Sequence, residues 1–154
     1  MERILKETLA GGDFASTAGN ARRMQAIRAG GNKSTEARLR AALVRHGVTG
    51  WQLRPRGLPG NPDFLFPDHK VVVFVDGCFW HGCPRCGHAV NKNGAYWKLK
   101  VAGNRRRDRR NGRKLRAMGL VVLRFWEHAL AGPLGPCVRR ILRALYSNPA
   151  NRLR

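Results

Sequence analysis

The residues best suited to chemistry lie together in one stretch of this chain. An apolar run, Val71-Val-Val-Phe-Val75, is followed directly by a carboxylate (Asp76), an imidazole (His81) and a group of three thiols. Carboxylates bind hard cations, imidazoles transfer protons near neutral pH, and thiolates are preferred ligands of zinc. The apolar run is short and mostly β-branched, which is typical of a buried strand. The stretch therefore predicts an active site at the end of a strand, beside a loop held by a metal.

The thiols have the spacing of a zinc site, x4 and then x2; they are Cys78, Cys83 and Cys86. A structural zinc needs four ligands in a tetrahedron, and the candidates for the fourth are His88, His128 and Cys137. His128 is preferred because it follows a second predicted buried strand, where it can face the loop after a neighbouring strand. His88 would form an unusually tight chelate with the thiol two residues before it. The alternative is a set of buried free thiols, which three cysteines in so short and glycine-rich a loop disfavour.

A second group of residues predicts metal-dependent hydrolysis. Asp63 and Asp76 lie at opposite ends of a predicted hairpin, so paired strands would bring their carboxylates together. Such a pair can hold Mg²⁺, which phosphodiester cleavage commonly uses. His81 is the candidate base for the attacking water, with Glu36 or Asp108 to orient it.

Each of these residues also has an ordinary structural interpretation. Asp63 directly follows a proline and could be a turn residue, while Glu36 stands in the first turn of a predicted helix, where it would complement the helix dipole. A histidine beside a cysteine cluster is commonly a ligand or a hydrogen-bond donor to one. Phe79 and Trp80 would, by themselves, be interpreted as core residues.

The remaining sequence supplies elements that could position these groups. Ser34 or Thr35 caps a helix that runs to about His46, and Gly119 ends a long cationic helix that starts near Ala95, despite Gly103 and Gly112 within it. The other predicted elements are strands at 51–54, 63–66, 71–75 and 120–126, and a helix over 136–146. This order predicts an α/β fold in which helices flank a mixed sheet.

The charge of the chain indicates a polyanionic partner. The 154 residues carry 30 Lys and Arg against 9 Asp and Glu, a formal net charge of +21. Nucleic acid is the leading candidate, and the arginines of the run 104–110, among them Arg105, Arg106 and Arg109, would contact phosphates. There is no apolar run of membrane-spanning length and no signal peptide, so we expect a cytoplasmic, nucleoid-associated protein with no membrane partner. Residues 1–20 are expected to be a flexible arm, 21–146 the folded domain and 147–154 a basic tail.

Several motifs together resemble the very-short-patch-repair (Vsr) DNA mismatch endonucleases. The matching segments are Met24-x-x-Ile27, Ser34-Thr-Glu36, Leu58-Pro-Gly-Asn-Pro-Asp63-Phe64, Val73-Phe-Val-Asp-Gly-Cys-Phe-Trp-His81, Arg107-Asp108 and Val122-Leu-Arg-Phe-Trp-Glu127. They span about residues 21 to 130 in the order and spacing of the family. The resemblance implies a restriction-endonuclease-like fold of the PD-(D/E)XK type, a structural zinc, and Mg²⁺-dependent nicking 5′ to the mismatched thymine of a T·G pair. The implied substrate is duplex DNA, mismatch-repair proteins are candidate partners, and a monomer is expected.

Individual roles follow from the same resemblance. Asp63 corresponds to the Mg²⁺-binding carboxylate, His81 to the histidine that activates water, Asp108 to the acid that supports it, and Glu36 to a helix carboxylate lining the site. The residues at the zinc positions are Cys78, Cys83, Cys86 and His128, and those that wedge into the base stack beside the mismatch are Met24, Phe79 and Trp80. Apolar wedges of this kind offset the cost of unstacking a base step.

The sequence departs from the best-known member of the family in and around the site. Asp76 replaces a second histidine and Val75 a threonine, so we expect a mechanism with one histidine and with Asp76 as an additional Mg²⁺ ligand. One extra residue precedes Cys86, and His128 replaces a cysteine, which keeps a zinc donor. Two other functions are considered: a related nuclease with a different mismatch or restriction-like specificity, and a catalytically silent, zinc-stabilised DNA-binding protein.

Overall fold

In the described part of the chain, four strands form one mixed sheet and four helices accompany them. The computed structural model describes residues 33–86 and 94–147, to which every structural statement below refers. The strands are β1 (Gln52–Leu53), β2 (Phe64–Phe66), β3 (Val71–Asp76) and β4 (Val121–Trp126). The helices are α1 (33–45), α2 (Gly94–Ala117), α3 (Glu127–Ala131) and α4 (Gly135–Tyr146).

The strands lie in the order β1-β2-β3-β4. The first three are antiparallel neighbours, whereas β4 runs parallel to β3. A parallel neighbour requires a crossover connection, and helix α2 lies within this one. All six residues of β3 are buried, as expected for a central strand covered on both faces.

The two faces of the sheet are covered by different helices. On one face, Val73 and Val75 belong to a core cluster with Leu43 of α1 and Val138 and Ile141 of α4. On the other face a smaller cluster joins Val72 and Phe74 of β3 to Leu115 of α2. Alternate residues of β3 thus serve the two layers, which confirms the predicted α/β class and the flanked mixed sheet.

This topology brings three segments to one end of the sheet. Because β2 and β3 are antiparallel, Asp63 just before β2 lies at the same end as Asp76, the last residue of β3. Because β3 and β4 are parallel, with Asp76 opposite Trp126, the loop after β3 and the residues after β4 also meet there. The topology therefore places Asp63 and Asp76 at the same end of the sheet, which is the arrangement expected of the hairpin.

The helices and strands agree with the predicted ones to within a few residues at their ends, with one addition. The short helix α3, which contains His128, was not predicted, because Glu127-His128 was interpreted as the close of the strand. Gly103 and Gly112 both lie inside α2. No helix in the two described segments is long and apolar enough to cross a membrane. The predicted arm, the basic tail after Ser147, Met24 and His88 lie outside the described residues. The more specific restriction-endonuclease-like fold stays a prediction.

Candidate active site and metal centre

Three cysteines and one histidine converge at the end of the sheet, as the sequence predicted. One ligand atom from each of Cys78, Cys83, Cys86 and His128 lies within 4.8 Å of the others. The Nδ1 atom of His128 is 3.2, 3.5 and 3.4 Å from the Sγ atoms of Cys78, Cys83 and Cys86, respectively. The thiols come from the loop after β3 and the imidazole from α3 after β4, so the cluster connects two parallel strands. Of the two fourth-ligand candidates that lie in the described residues, His128 and Cys137, the structure brings His128 to the thiols.

The donor set and its spacing fit zinc. With Zn–S near 2.3 Å and Zn–N near 2.05 Å, a tetrahedron separates sulfur from nitrogen by about 3.6 Å, close to the distances found here. Cys137 lies elsewhere: its thiol is buried in the core and contacts the Ala129 carbonyl oxygen at 3.9 Å. These four residues can therefore hold one metal ion with a closed coordination sphere, which is typical of a structural site.

Asp63 lies in an environment where a nearby positive charge would stabilise its carboxylate. Its Oδ2 accepts a 2.6 Å hydrogen bond from the backbone N–H of Val75, which holds the carboxylate against β3. Burial raises the pKa of Asp63 from its ordinary 3.8 to about 6, and the negative charges of Glu36 and Asp76 add to this effect, while the Val75 N–H and the charge of Arg54 oppose it. A buried carboxylate flanked by two more suits a divalent cation, whose charge would offset both burial and repulsion.

Glu36 reaches this region from α1. It is buried, and its carboxylate accepts a 2.8 Å hydrogen bond from the guanidinium of Arg54. The backbone N–H of Arg54 in turn donates to the carbonyl oxygen of Asp63 at 2.9 Å. Glu36 is thus linked to Asp63 through Arg54, in agreement with its expected place beside the site.

His81 is paired with an acid from the crossover helix. Its Nδ1 lies 2.6 Å from Oδ2 of Asp108 on α2, and 3.9 Å from Oδ1 of Asp76. A carboxylate can only accept, so Nδ1 carries the hydrogen, and in the neutral ring Nε2 holds the lone pair. The arrangement can orient the imidazole and leave Nε2 to take a proton from water.

Asp76 forms an ion pair that the sequence did not predict. Arg124 of β4 donates to both of its oxygens, from Nε to Oδ2 at 2.7 Å and from an Nη atom to Oδ1 at 2.7 Å. Burial lowers the pKa of Arg124, but the hydrogen bonds and charge of Asp76, together with those of Asp108, outweigh this effect and raise the pKa above its ordinary value. The assignment of Asp76 to Mg²⁺ stays a prediction, against which this pairing weighs.

An aromatic cluster lies beside these groups. The rings of Phe79 and Trp80 contact each other and Trp97 of α2, with centroid separations of 5.1 to 5.8 Å. Asn104, buried on α2, donates a 2.8 Å hydrogen bond to the carbonyl oxygen of Trp80. All three residues are only partly buried, so the cluster is in part accessible to solvent.

Helix α2 separates its inward and outward residues clearly. Asn104, Asp108 and Leu115 face the fold, whereas Arg105, Arg106 and Arg109 are exposed. A Cβ at Gly82 would collide with the side chain of Val101, so the loop that carries His81 packs closely on this helix. The predicted DNA contacts of the exposed arginines stay a prediction.

Three residues of this region were not assigned a role from the sequence. Arg124 could have been noticed as a charge inside an otherwise apolar strand. Trp97 stands in a cationic stretch, and aromatic residues among basic ones are a known signal of nucleic-acid binding. Asn104 carried no signal, because an asparagine in a polar helix is ordinary.

The fold and the site together define a class of protein: an α/β protein in which a group of three cysteines and one histidine that could hold a metal ion lies beside a paired histidine and aspartate. The comparisons with known proteins agree, since residues 13–87 match the family described as DNA mismatch endonuclease Vsr. The type II nicking enzyme V.NaeI of Lentzea aerocolonigenes is 44% identical over 115 residues, which are 72% of this chain and 69% of the relative. V.XorIIP, a type II nicking enzyme of Xanthomonas oryzae pv. oryzae, is 38% identical over 77% of this chain and 88% of its own length. The DNA mismatch endonuclease Vsr of Escherichia coli K12 is 34% identical over 78% of this chain and 76% of its own length.

The chain belongs to the Vsr family, and it is an endonuclease. This confirms the resemblance inferred from the motifs around Asp63 and His81.

Proposed function

We propose that this protein nicks one strand of duplex DNA 5′ to the mismatched thymine of a T·G pair, as in the repair of deaminated 5-methylcytosine. The observation that supports this most strongly is the His81–Asp108 pair at 2.6 Å, at the same end of the sheet as the buried carboxylate of Asp63. A base and a candidate metal ligand at one place are what hydrolysis of a phosphodiester requires. A silent DNA-binding protein would have no need of either.

Asp63 is the residue proposed to hold Mg²⁺, with Glu36 beside it. When bound there, the ion would polarise the scissile phosphate and stabilise the charge that develops on it. His81 Nε2 accepts the proton of the attacking water as the new P–O bond forms. Asp108 keeps the imidazole in the tautomer that leaves Nε2 available and stabilises the imidazolium that results. The opposite P–O bond breaks, and its oxygen takes a proton from solvent.

The zinc assigned to the cysteine–histidine cluster has a structural role in this proposal. Cys78 and Cys83 stand on either side of His81 in the chain, so a metal bound to them would restrain the loop that carries the base. The same loop carries Phe79 and Trp80. The positions of the base and of the aromatic cluster would then both depend on one metal ion. The scaffold that carries them is expected to be the restriction-endonuclease-like domain of residues 21–146.

The aromatic cluster and the cationic helix are proposed to bind the DNA. Phe79 and Trp80 would wedge into the stack at the mismatch, and Trp97 adds a third ring to that surface. A mismatched step costs less to open than a paired one, which favours entry at the T·G pair. Arg105, Arg106 and Arg109 would contact phosphates on the exposed side of α2.

A second specificity is favoured by the names of the relatives. V.NaeI and V.XorIIP are called type II nicking enzymes, so a nick at another mismatch or sequence context is the alternative. The test is a nicking assay with Mg²⁺ on labelled duplexes that carry T·G, each other mismatch, or none, in several flanking sequences. Nicking of the thymine strand of T·G duplexes alone, lost in Asp63→Asn, is the expected result. Cleavage of paired DNA would establish the alternative, and no cleavage of any duplex would overturn the proposal.

A further inference from the structure

Arg124 occupies an unusual place for a positive charge. It lies in the middle of β4, between the buried residues Leu123 and Phe125, and pairs with Phe74 in the register of the parallel strands. Side chains alternate along a strand, so Arg124 points to the face that carries Phe74 and Asp76, under helix α2. Its guanidinium carbon lies 4.4 Å from the centroid of the Phe74 ring. The side chain is only 27% exposed.

The contacts of Arg124 connect two acids that flank the same imidazole. Its fork engages both oxygens of Asp76 at 2.7 Å, and an Nη atom also lies 3.4 Å from Oδ1 of Asp108. Asp108 uses its other oxygen for His81. One guanidinium thus fixes the position of the carboxylate that orients the base, and of a second carboxylate 3.9 Å from the same ring nitrogen.

We propose that Arg124 is a positioning residue of the nicking reaction: it holds Asp108 and Asp76 in place around His81, and Asp76 is its counter-ion rather than a Mg²⁺ ligand. This rests on the proposed function. A planar fork that binds a carboxylate through two hydrogen bonds restricts its position more tightly than a lysine could. The pair also cancels the charge of Asp76, which reduces its attraction for a divalent cation.

The two carboxylates at this end of the sheet differ in the charge of the group that donates hydrogen bonds to them. Asp63 accepts a neutral backbone N–H from Val75 and keeps its negative charge for a cation. Asp76 is matched by the full charge of Arg124. The difference assigns Mg²⁺ to Asp63 and a supporting role to Asp76.

The test compares Arg124→Met, Arg124→Lys, Asp76→Asn and the double variant Asp76→Asn/Arg124→Met with the wild type. Arg139→Met is the matched control, because it removes an exposed arginine from α4 on the other face of the sheet. For Arg124→Met we expect kcat to fall about ten-fold or more while KM for DNA changes less than about two-fold, since misplacing a catalytic group lowers the rate without removing a DNA contact. The kcat of Arg124→Lys should lie between those of Arg124→Met and the wild type, and the kcat of Arg139→Met should match that of the wild type.

The double variant replaces the ion pair by two neutral side chains of similar size, so it can fold even if Arg124→Met alone cannot. If Arg124 and Asp76 act as one unit, the fold loss in kcat caused by Arg124→Met should be smaller in the Asp76→Asn background than in the wild type, by a factor of about three or more. Independent, multiplicative losses would overturn the proposal. So would wild-type kcat in Arg124→Met, or a higher KM with unchanged kcat, which would make Arg124 a DNA contact.

Two readouts need no DNA and therefore separate this inference from the nicking proposal. In calorimetric titration with Mg²⁺, Asp63→Asn should weaken binding about ten-fold or more, while Asp76→Asn should change it less than about three-fold. Equal weakening by both variants would make Asp76 a ligand and overturn the proposal. In NMR spectra, the imidazole nitrogens of His81 should show the Nδ1–H tautomer in the wild type and a mixture in Arg124→Met; an unchanged spectrum would also contradict it. If the wild type fails to nick any duplex, the proposed function fails, and these two measurements still decide the pairing.

Discussion

His81 Nδ1 lies 2.6 Å from Oδ2 of Asp108, although the two residues are 27 positions apart and belong to a loop and to the crossover helix. Only the packing of α2 on the loop after β3 creates this pair. The pair is the basis for the role of His81 as general base, because it determines which ring nitrogen remains available.

Removing the base and removing its partner should have different effects. His81→Ala should reduce kcat about 10²- to 10⁴-fold, the usual contribution of a general base. Asp108→Asn should reduce it less, about 10- to 100-fold, because the base remains but is poorly oriented. Single-turnover nicking on a T·G duplex measures both, and gel-shift affinity should stay near the wild-type value. Equal losses in the two variants, or a parallel loss of affinity, would contradict these roles.

The raised pKa of Asp63 predicts that this residue reduces stability at neutral pH. Its pKa is about 6 in the folded protein and near 3.8 when unfolded, so the folded state favours the protonated form. Protonated Asp63 therefore gives the fold its full stability below the unfolded pKa, and this stability is lost as the pH rises through 6. Above that pH, the buried negative charge costs about 2 to 3 kcal/mol. In zinc-loaded, Mg²⁺-free buffer, Asp63→Asn should therefore melt at a higher temperature than the wild type at pH 7.5.

Measurements at several pH values check this interpretation. The difference in melting temperature should shrink as the pH is lowered from 7.5 to 5, because the wild-type carboxyl becomes protonated. Added Mg²⁺ should stabilise the wild type and leave Asp63→Asn unchanged. A variant less stable than the wild type at every pH would show that the carboxylate is instead satisfied in the fold.

The metal cluster should be necessary for folding. His128→Ala removes one of four ligands and should give a zinc-depleted, largely unfolded protein, since structural zinc contributes on the order of 10 kcal/mol in small domains. His128→Cys keeps a zinc donor and should retain the metal. Zinc content by mass spectrometry and far-UV circular dichroism measure the outcome. Cys137→Ala is the matched control, because this buried thiol lies outside the cluster and its loss should leave one zinc per chain.

The exposed arginines of α2 should determine the salt dependence of DNA binding. Each phosphate contact contributes about 0.9 to the slope of log K against log salt, so replacing Arg105, Arg106 and Arg109 with Gln should reduce the slope by up to about 3. Fluorescence anisotropy of labelled DNA, measured between about 50 and 300 mM salt, gives the affinity at each salt concentration and therefore the slope. Arg139→Gln, on the other face of the sheet, should leave the slope unchanged. An unaltered slope in the triple variant would place the DNA elsewhere.

Much of the fold followed from local patterns. The β-branched run at Val71, the helix that ends near His46 and the helix that ends before Gly119 are encoded by neighbours in the sequence, where periodicity and stop signals are explicit. Helix α3 was missed because its few residues follow a strand directly and are too short to show a period. The cluster of Cys78, Cys83 and Cys86 was recognisable because all three thiols lie in one loop.

The sequence by itself determined which residues could do chemistry: the thiol spacing, the carboxylates and the imidazole are visible in their types and order. The family motifs suggested that Asp108 supports His81, but only the tertiary structure showed which atoms are in contact and that Asp76 pairs with Arg124. Asp76 meets Arg124 because β3 and β4 align in one parallel register, and such a register depends on packing across both faces of the sheet rather than on either strand alone. Asp108 meets His81 because the rotation of α2 is set by Leu115 in the core. Contacts between elements far apart in the chain are selected by the whole core, which no local pattern can express.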